Sequence, residues 1–337
     1  MEDLRFMNIL FSSCGRRVEL IRFFKSAKEI ISNGHIIGID ANPLAPALQV
    51  VDKAYLAPRI AEIDYLPFIR DLCEKEKVDI LIPLIDTELP IYAKEIDDFK
   101  AIGVRILVSP ESVIEICFDK LKTTRYFKRI KLPHLVTYDA NDHGWKQKVE
   151  FPAIIKPKRG SSSKDVYIVK SEEEVDIFRK RIDNPILQEM AKGMEITLDC
   201  LSDLSGCPVR IFARERLETR AGESSKGRTF KDRDLFDLAE RLLNELRAIG
   251  PTTIQCFRTE SGYRFTEINP RFGGGYPLSH HAGADYPNLI LRMCKGEIIG
   301  KDIGNYEEDI YFCRYDEAFY LKNVKNGKSF IRINDYD

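Results

Sequence analysis

Phe265 to Gly275 reads FTEINPRFGGG. A carboxylate at Glu267 and an amide oxygen at Asn269 stand two residues apart, Arg271 follows, and three glycines close the run. Hard oxygen donors of this kind suit Mg2+, which takes one or two protein ligands and fills its octahedron with phosphate and water. A planar guanidinium beside them can grip a phosphoryl group through two parallel hydrogen bonds. Glycine lets backbone N–H groups approach an anion closely. The segment GYRFTEIN has the alternation of a strand, so Tyr263, Phe265, Glu267 and Asn269 are expected on one face. Upstream, TTIQCF is a second β-rich run, and Glu260, Ser261 and Gly262 between the two suit a three-residue hairpin loop. Pairing Thr259 with Tyr263 then sets Gln255 opposite Glu267, where cross-strand partners share a face. Gln255, Glu267 and Asn269 are therefore the expected metal ligands. The plainer alternative is a half-exposed strand with a flexible turn.

Three other stretches carry candidate chemistry. FPAIIKPKRGSSSKDVYIV sets two apolar strands around a loop of Lys, Arg, Gly and Ser, with Lys156 ending the first strand. Its small residues, Ser161 and Ser162 among them, offer backbone donors suited to covering phosphates, although an exposed hairpin tip explains them as well. ILQEMAKGMEITLDCL reads as two strands about a glycine-bearing bend, whose free backbone groups can read the edge of an adenine ring. Glu195, just beyond, is placed to accept ribose hydroxyls. In ARERLETRAGESSKGRTFKDRD the charges crowd together and nothing supplies a core face, so a solvated loop is expected. Beside an anionic site, Arg220 and Lys226 would close over the transferred group as a lid. His280 and His281 are expected to open the helix SHHAGADYPNLILRMCKG; neighbours on a helix do not share a face, which argues against zinc.

The elements that must position these groups are legible in outline. In the first third, MNILFSS, HIIGIDAN, DILIPLID and VRILVS are near-continuous apolar runs alternating with helical segments. That is the pattern of a parallel sheet covered on both faces, in an α/β fold. Ligands approach such sheets at the carboxyl ends of strands, where Ser12, Ser13, Gly15, Asp40, Asn42 and Asp86 fall. SSCGRR has a single glycine, so the dinucleotide fingerprint is missing and Asp40 is no strong mark of NAD. DKLKTTRYFKRI is a helix with Lys120 at its start. The 337 residues suffice for two or three domains. A formal net charge of −1 argues against a nucleic-acid partner. The absence of long apolar runs or a leader pattern argues against a membrane or export. Eight scattered cysteines without a C-x-x-C pair read as small buried side chains in a reducing cytoplasm.

Taken in order, Lys120, Lys156 with its small-residue loop, QEMAKGME, Gln255 and EINPR resemble the ATP-grasp superfamily, over roughly residues 8 to 300. The likeness is strongest to one half of the carbamoyl phosphate synthetase large subunit, and more distant to D-alanine–D-alanine ligase and biotin carboxylase. It implies a Rossmann-like amino-terminal domain (1–118), an ATP-grasp lid subdomain (119–187) and a carboxyl-terminal subdomain with the metal site (188–337), the last two α+β subdomains clasping ATP. It also implies phosphate-binding roles for Lys120 and Lys156, an adenine hinge at Gln188, Glu189 and Ala191, and ribose binding at Glu195. Gln255, Glu267 and Asn269 would hold Mg2+ or Mn2+, with Arg271 near the transferred phosphoryl group. Many relatives have a carboxylate where Gln255 stands, and a single half lacks the second phosphorylation site of the complete synthetase. The implied activity is an ADP-forming carboxylate–amine ligase working through an acyl phosphate, on small-molecule substrates, with a homodimer left open. Bicarbonate activation to carboxyphosphate or carbamate, and ATP sensing without chemistry, are the alternatives.

Overall fold

The computed structural model describes residues 7–27, 34–160, 165–220, 222–322 and 331–332. Ser161 and Ser162 lie outside these. The chain divides into two compact units, and neither is a single continuous segment. The first comprises residues 1–108, 285–299 and 315–337; the second comprises 109–284 and 300–314.

In the first unit β1 (Ile9–Ser12), β2 (Ile36–Asp40), β3 (Lys53–Leu56), β4 (Ile80–Pro83) and β5 (Arg105–Ile106) form a wholly parallel sheet in the order β3-β2-β1-β4-β5. Ile9, Leu10, Phe11, Ile36, Ile37, Leu81 and Ile82 are all essentially inaccessible, because connections on both faces cover a parallel sheet. Helices α1 (Val18–Ser26) and α2 (Tyr65–Glu76) bury apolar faces that include Phe24, Ile69 and Leu72. After β4 come two short helices, α3 (Leu89–Lys94) and α4 (Ile96–Ala101), separated at Glu95. Strand order reverses between β1 and β4, and there the Glu88 carboxylate lies fully buried. It accepts from Ser12 Oγ (3.0 Å), Ser13 Oγ (2.8 Å) and the Tyr65 hydroxyl. Asp40, at the end of β2, accepts from the backbone N–H of Gly15 (2.8 Å) and Asn42 (2.8 Å), so it shapes the local turns.

In the second unit α5 (Glu111–Phe118) leads into α6 (Lys120–Arg129), whose N-cap Asp119 accepts from Leu121 and Lys122 N–H. A small sheet follows in the order β6-β9-β7-β8, made of β6 (Thr137–Asp139), β7 (Ala153–Pro157), β8 (Tyr167–Val169) and β9 (Pro185–Glu189). It packs with α7 (Glu172–Phe178) around Trp145, Ile155, Val169, Val175 and Leu187.

The large antiparallel sheet contains β10 (Met194–Ser202), β11 (Pro208–Arg220), β12 (Glu223–Phe230), β13 (Gly250–Thr259), β14 (Gly262–Asn269) and β15 (Tyr311–Cys313), in the order β14-β13-β10-β11-β12-β15. Helix α8 (Arg233–Leu246) places Leu235, Phe236, Ala239, Leu242, Leu243 and Leu246 on one buried stripe against it. The expected solvated loop at 213–234 is thus corrected to a hairpin of two long strands and the start of α8. Its charges are partly core: Arg214 and Glu215 are both buried, and they point to opposite faces.

The segment SHHAGADYPNLILRMCKG is two helices, not one. Helix α9 (Tyr276–His281) stops before Gly283, whose φ of +115° no helix accommodates, and Asp285 caps a fresh start at α10 (Tyr286–Cys294). The chain passes from the second unit back to the first between them.

Candidate active site

The β13–β14 hairpin places the oxygen donors, by a route different from the one expected. The connection has two residues, not three: Thr259 pairs with Gly262 and Arg258 with Tyr263. A bulge then gives β14 one extra residue, Thr266, between the pairs Cys256–Phe265 and Gln255–Glu267. The shorter turn and the bulge offset each other, so Gln255 still stands opposite Glu267. The expectation of one shared face fails for the same reason. Phe265 sits on the Cys256 face, where its ring packs 6.2 Å from Phe127, and Tyr263 donates to the α8 cap Asp232 (2.6 Å). Beyond the bulge Glu267 and Asn269 turn to the other face, aligned across β13 with Thr197 and Asp199 of β10. Asn269 is buried and Glu267 half-buried.

Lys156 is the electrostatic centre of this face. Its ammonium donates to Gln188 Oε1 (2.9 Å), and the same oxygen accepts from the Thr266 hydroxyl (3.3 Å), while Gln188 Nε2 donates to Thr137 Oγ1 (2.8 Å). Burial pushes the lysine from an ordinary value near 10.5 down to about 8, Lys120 adds to that shift, and the charges of Glu267 and Glu195 oppose it. Lys156, Lys120, Glu195, Gln188 and Glu267 are therefore brought into one electrostatic neighbourhood. Lys120, first residue of α6, donates to Gly160 O (2.8 Å), at the start of the small-residue loop.

Gln188 and Glu189 end β9 in the small sheet, and the bend at Ala191 to Gly193 carries the chain into β10 of the large one. The Gln188 side chain turns inward to Lys156. Glu195 is paired with Arg216 of β11. Gly193 has φ +156°, and a Cβ there would lie 2.1 Å from Arg258 O.

The remaining arginine and lysine candidates lie along the end of the hairpin and the glycine run. Arg271 donates to Phe272 O (3.2 Å), and its own carbonyl accepts from Thr253 Oγ1 (3.1 Å). Arg220 is exposed at the tip of β11, opposite Glu223. Lys226 is exposed and salt-bridged to Glu218 (2.8 Å). The Gly273–Gly275 run serves close packing: a Cβ on Gly275 would lie 2.4 Å from Arg214 Nη1, and one on Gly273 would lie 2.8 Å from Thr253 Oγ1. None of the three has a positive φ.

Sequence reasoning missed Thr266, Thr137, and the buried pair Arg214–Asp199 (2.8 Å), whose members are about 3% and 2% exposed. Asp199 also accepts from Ser279 Oγ (2.7 Å). The alternation of Glu195, Thr197 and Asp199 along β10 was the available signal for the last of these.

Among the described residues no group of three His, Cys, Asp or Glu side chains is arranged to hold a metal. One carboxylate with two amide oxygens beside it fits a hard cation completed by phosphate oxygens and water.

Comparison with known proteins agrees with this architecture. Residues 9–107 match the family model described as PylC-like, N-terminal domain. Residues 181–314 match ATP-grasp in the biosynthetic pathway with Ter operon. The carbamoyl phosphate synthase large chain of Thermoplasma acidophilum is 23% identical over 311 residues, covering 82% of this chain and 29% of that protein. The formate-dependent phosphoribosylglycinamide formyltransferase of Bacteroides fragilis is 24% identical, covering 70% of this chain and 64% of the other. The chain thus spans less than two thirds of the length of these curated relatives. Among solved structures, the biotin carboxylase domain of Hydrogenobacter thermophilus 2-oxoglutarate carboxylase, in complex with MgADP, ADP and bicarbonate, superposes with a TM-score of 0.76. That match has 15% identity and covers 99% of this chain and 84% of that one.

Proposed function

We propose that this chain, a Rossmann-like domain followed by an ATP-grasp fold resembling one half of a carbamoyl phosphate synthase large chain, is an ATP-dependent, ADP-forming ligase that joins a carboxylate to an amine. The observation that carries the reading is the partly buried Lys156 ammonium, held by Gln188 and in the field of the Glu267 carboxylate. A cation kept out of water at a cost, in the field of an oxygen-donor set, suits a polyphosphate lying between it and a divalent ion.

In this reading Mg2+ supplies charge neutralisation for the phosphates; Mn2+ would be held by the same oxygens. Glu267, Asn269 and Gln255 would hold it. Lys120 and Lys156 bind phosphate oxygens, and Arg271 orients the group in transfer. Backbone groups from Glu189 to Ala191 bind the base, and Glu195, presented by Arg216, takes the ribose. Arg220 and Lys226, on the β11–β12 hairpin, would close over the transferred group. The γ-phosphoryl group passes to a carboxylate oxygen with release of ADP. The amine then attacks the acyl carbon, phosphate leaves, and the amine gives up a proton. Such catalysis is largely positioning and charge neutralisation, which explains a site built from lysines, an arginine and oxygen donors.

No described helix is long and apolar enough to cross a membrane, and small-molecule substrates in a reducing cytoplasm fit the reading. The test is ADP release with Mg·ATP across a panel of carboxylates, with hydroxylamine as surrogate amine and hydroxamate as readout. Carboxylate-dependent ADP and hydroxamate support it. Mg·ATP binding without ADP release under any carboxylate overturns it in favour of a sensor, and release with bicarbonate alone points to carboxyphosphate chemistry. Glu267→Gln should lower kcat by about 10²–10³, since a preorganised charge is lost, and should lower the ligand-free melting temperature only slightly, through the lost attraction to Lys156.

A further inference from the structure

Two arginines tie successive residues of β12 to successive glycines of the run after β14. Arg214, on β11, donates through Nη1 to Ser224 Oγ (3.0 Å), and its guanidinium fills the space that a side chain on Gly275 would need. Arg314, just past β15, donates through Nη1 to Glu223 Oε2 (2.9 Å) and through Nη2 to Gly274 O (2.6 Å). Its backbone N–H is held by Ser225 O (2.8 Å). Beneath them Asp199 accepts from Arg214 Nε (2.8 Å) and from Ser279 Oγ (2.7 Å), anchoring the helix that follows the glycines. Thr253 holds the other end of the turn through the carbonyl of Arg271.

Gly273 to Gly275 carry no side chains with which to hold themselves, so the shape of this end of the turn depends on these outside clamps. A peptide of glycines is the part of a chain that loses most conformational freedom when ordered. Guanidinium groups suit the task because their donors lie in a rigid plane and can serve two partners at once.

We propose that Arg214 and Arg314 are positioning residues that lock the β11–β12 hairpin to the glycine turn and thereby set the geometry of Arg271 and Asn269 toward magnesium-bound phosphate. This rests on the nucleotide reading above. A merely structural role would instead affect stability, or all forms of ATP alike.

The variant of choice is Arg314→Met, because that side chain is about a third exposed and its removal leaves the core intact. ATP affinity is measured by calorimetry with Mg2+ and with the metal chelated, alongside hydrogen exchange at the amides of residues 273–276. Loss of one charge-assisted clamp is expected to weaken Mg·ATP binding about tenfold, to leave metal-free ATP binding unchanged, and to speed exchange in the turn. Arg271→Ala should also weaken Mg·ATP binding, and adding Arg314→Met to it should weaken binding by less than the two separate losses combined, since part of the effect runs through Arg271. Arg214→Lys, which keeps the buried charge but not the fork, should resemble Arg314→Met. The proposal is overturned if Arg314→Met binds both forms as wild type does, weakens both equally, or adds fully to Arg271→Ala. If the wild-type protein does not bind Mg·ATP, the nucleotide reading fails and this role falls with it. Wild-type Mg·ATP binding with an indifferent Arg314→Met rejects this role alone.

Discussion

Lys156 shows how one residue trades stability for a site. Its ammonium is half-buried against Gln188, and its value is lowered from 10.5 to about 8, first by loss of water and then by Lys120. Between pH 8 and 10.5 the unfolded chain keeps a proton that the folded chain releases, so stability rises with pH across that window. Below pH 8 both states carry the proton and the burial cost is present in full. Lys156→Met should therefore be more stable than wild type at pH 7 without ligand, by up to about 3 kcal/mol. The gap should close toward pH 10.5, and Mg·ATP affinity should fall. Chemical denaturation at pH 7, 9 and 10.5 checks the first part, and a variant less stable at pH 7 would show that Lys156 is held by more than it costs. The charges of Glu267 and Glu195 favour the protonated lysine, whose ammonium donates to Gln188.

At the scale of elements, the bend between β9 and β10 and the β13–β14 bulge carry the most consequence. The bend moves the chain from one sheet to the other within four residues, and at Gly193 it passes directly over Arg258 O. A methyl group there would have to displace backbone, not a flexible side chain. Gly193→Ala is expected to cost about 2–4 kcal/mol, from the overlap and the unfavourable φ together. It should weaken nucleotide binding more than Gly160→Ala, which shares an unfavourable φ (+118°) but whose Cβ meets nothing within 4 Å. Melting temperatures and ATP affinities of the two variants decide this, and equal effects would remove the bend from its place in recognition. The bulge at Thr266 has the complementary role, turning Glu267 away from the helix face on which Phe265 packs.

Across the whole molecule, buried charge gives the two units opposite responses to pH. In the first unit burial raises Glu88 from an ordinary 4.5 to about 7, against the opposing hydrogen bonds from Tyr65, Ser13 and Ser12. The folded state then holds a proton that the unfolded state has lost, so Glu88 favours folding below pH 4.5 and loses that contribution as pH rises through 7. Glu88→Gln should leave stability near wild type at pH 5 and raise it at pH 8, by up to about 3 kcal/mol. Denaturant midpoints at the two pH values test this, and a variant less stable at pH 8 would mean the ionised carboxylate is required by its three donors. Lys156, in the second unit, acts in the reverse sense above pH 8.

Local chemistry was enough to read the apolar runs of β1, β2 and β4, the capped start of α6 at Lys120, the bend after Glu189, and the opposition of Gln255 to Glu267. Each follows from alternation, capping or turn preference within some fifteen residues, where the chain's own geometry limits the choices. The last was reached through a wrong turn length and an unseen bulge, because both routes place the same residues opposite one another. Only the tertiary structure could decide which face each residue of β14 presents, since a bulge is favoured by what packs on either side of a strand. It alone could show that Arg214 and Glu215 are interior charges, because their partners, Asp199, Arg228 and Arg258, lie on other strands of the sheet. The same holds for Arg314, which reaches Gly274 across 40 residues and Glu223 across 91. A charge in a sequence has no intrinsic address: water and a buried counter-ion both satisfy it, and the fold determines which one is within reach.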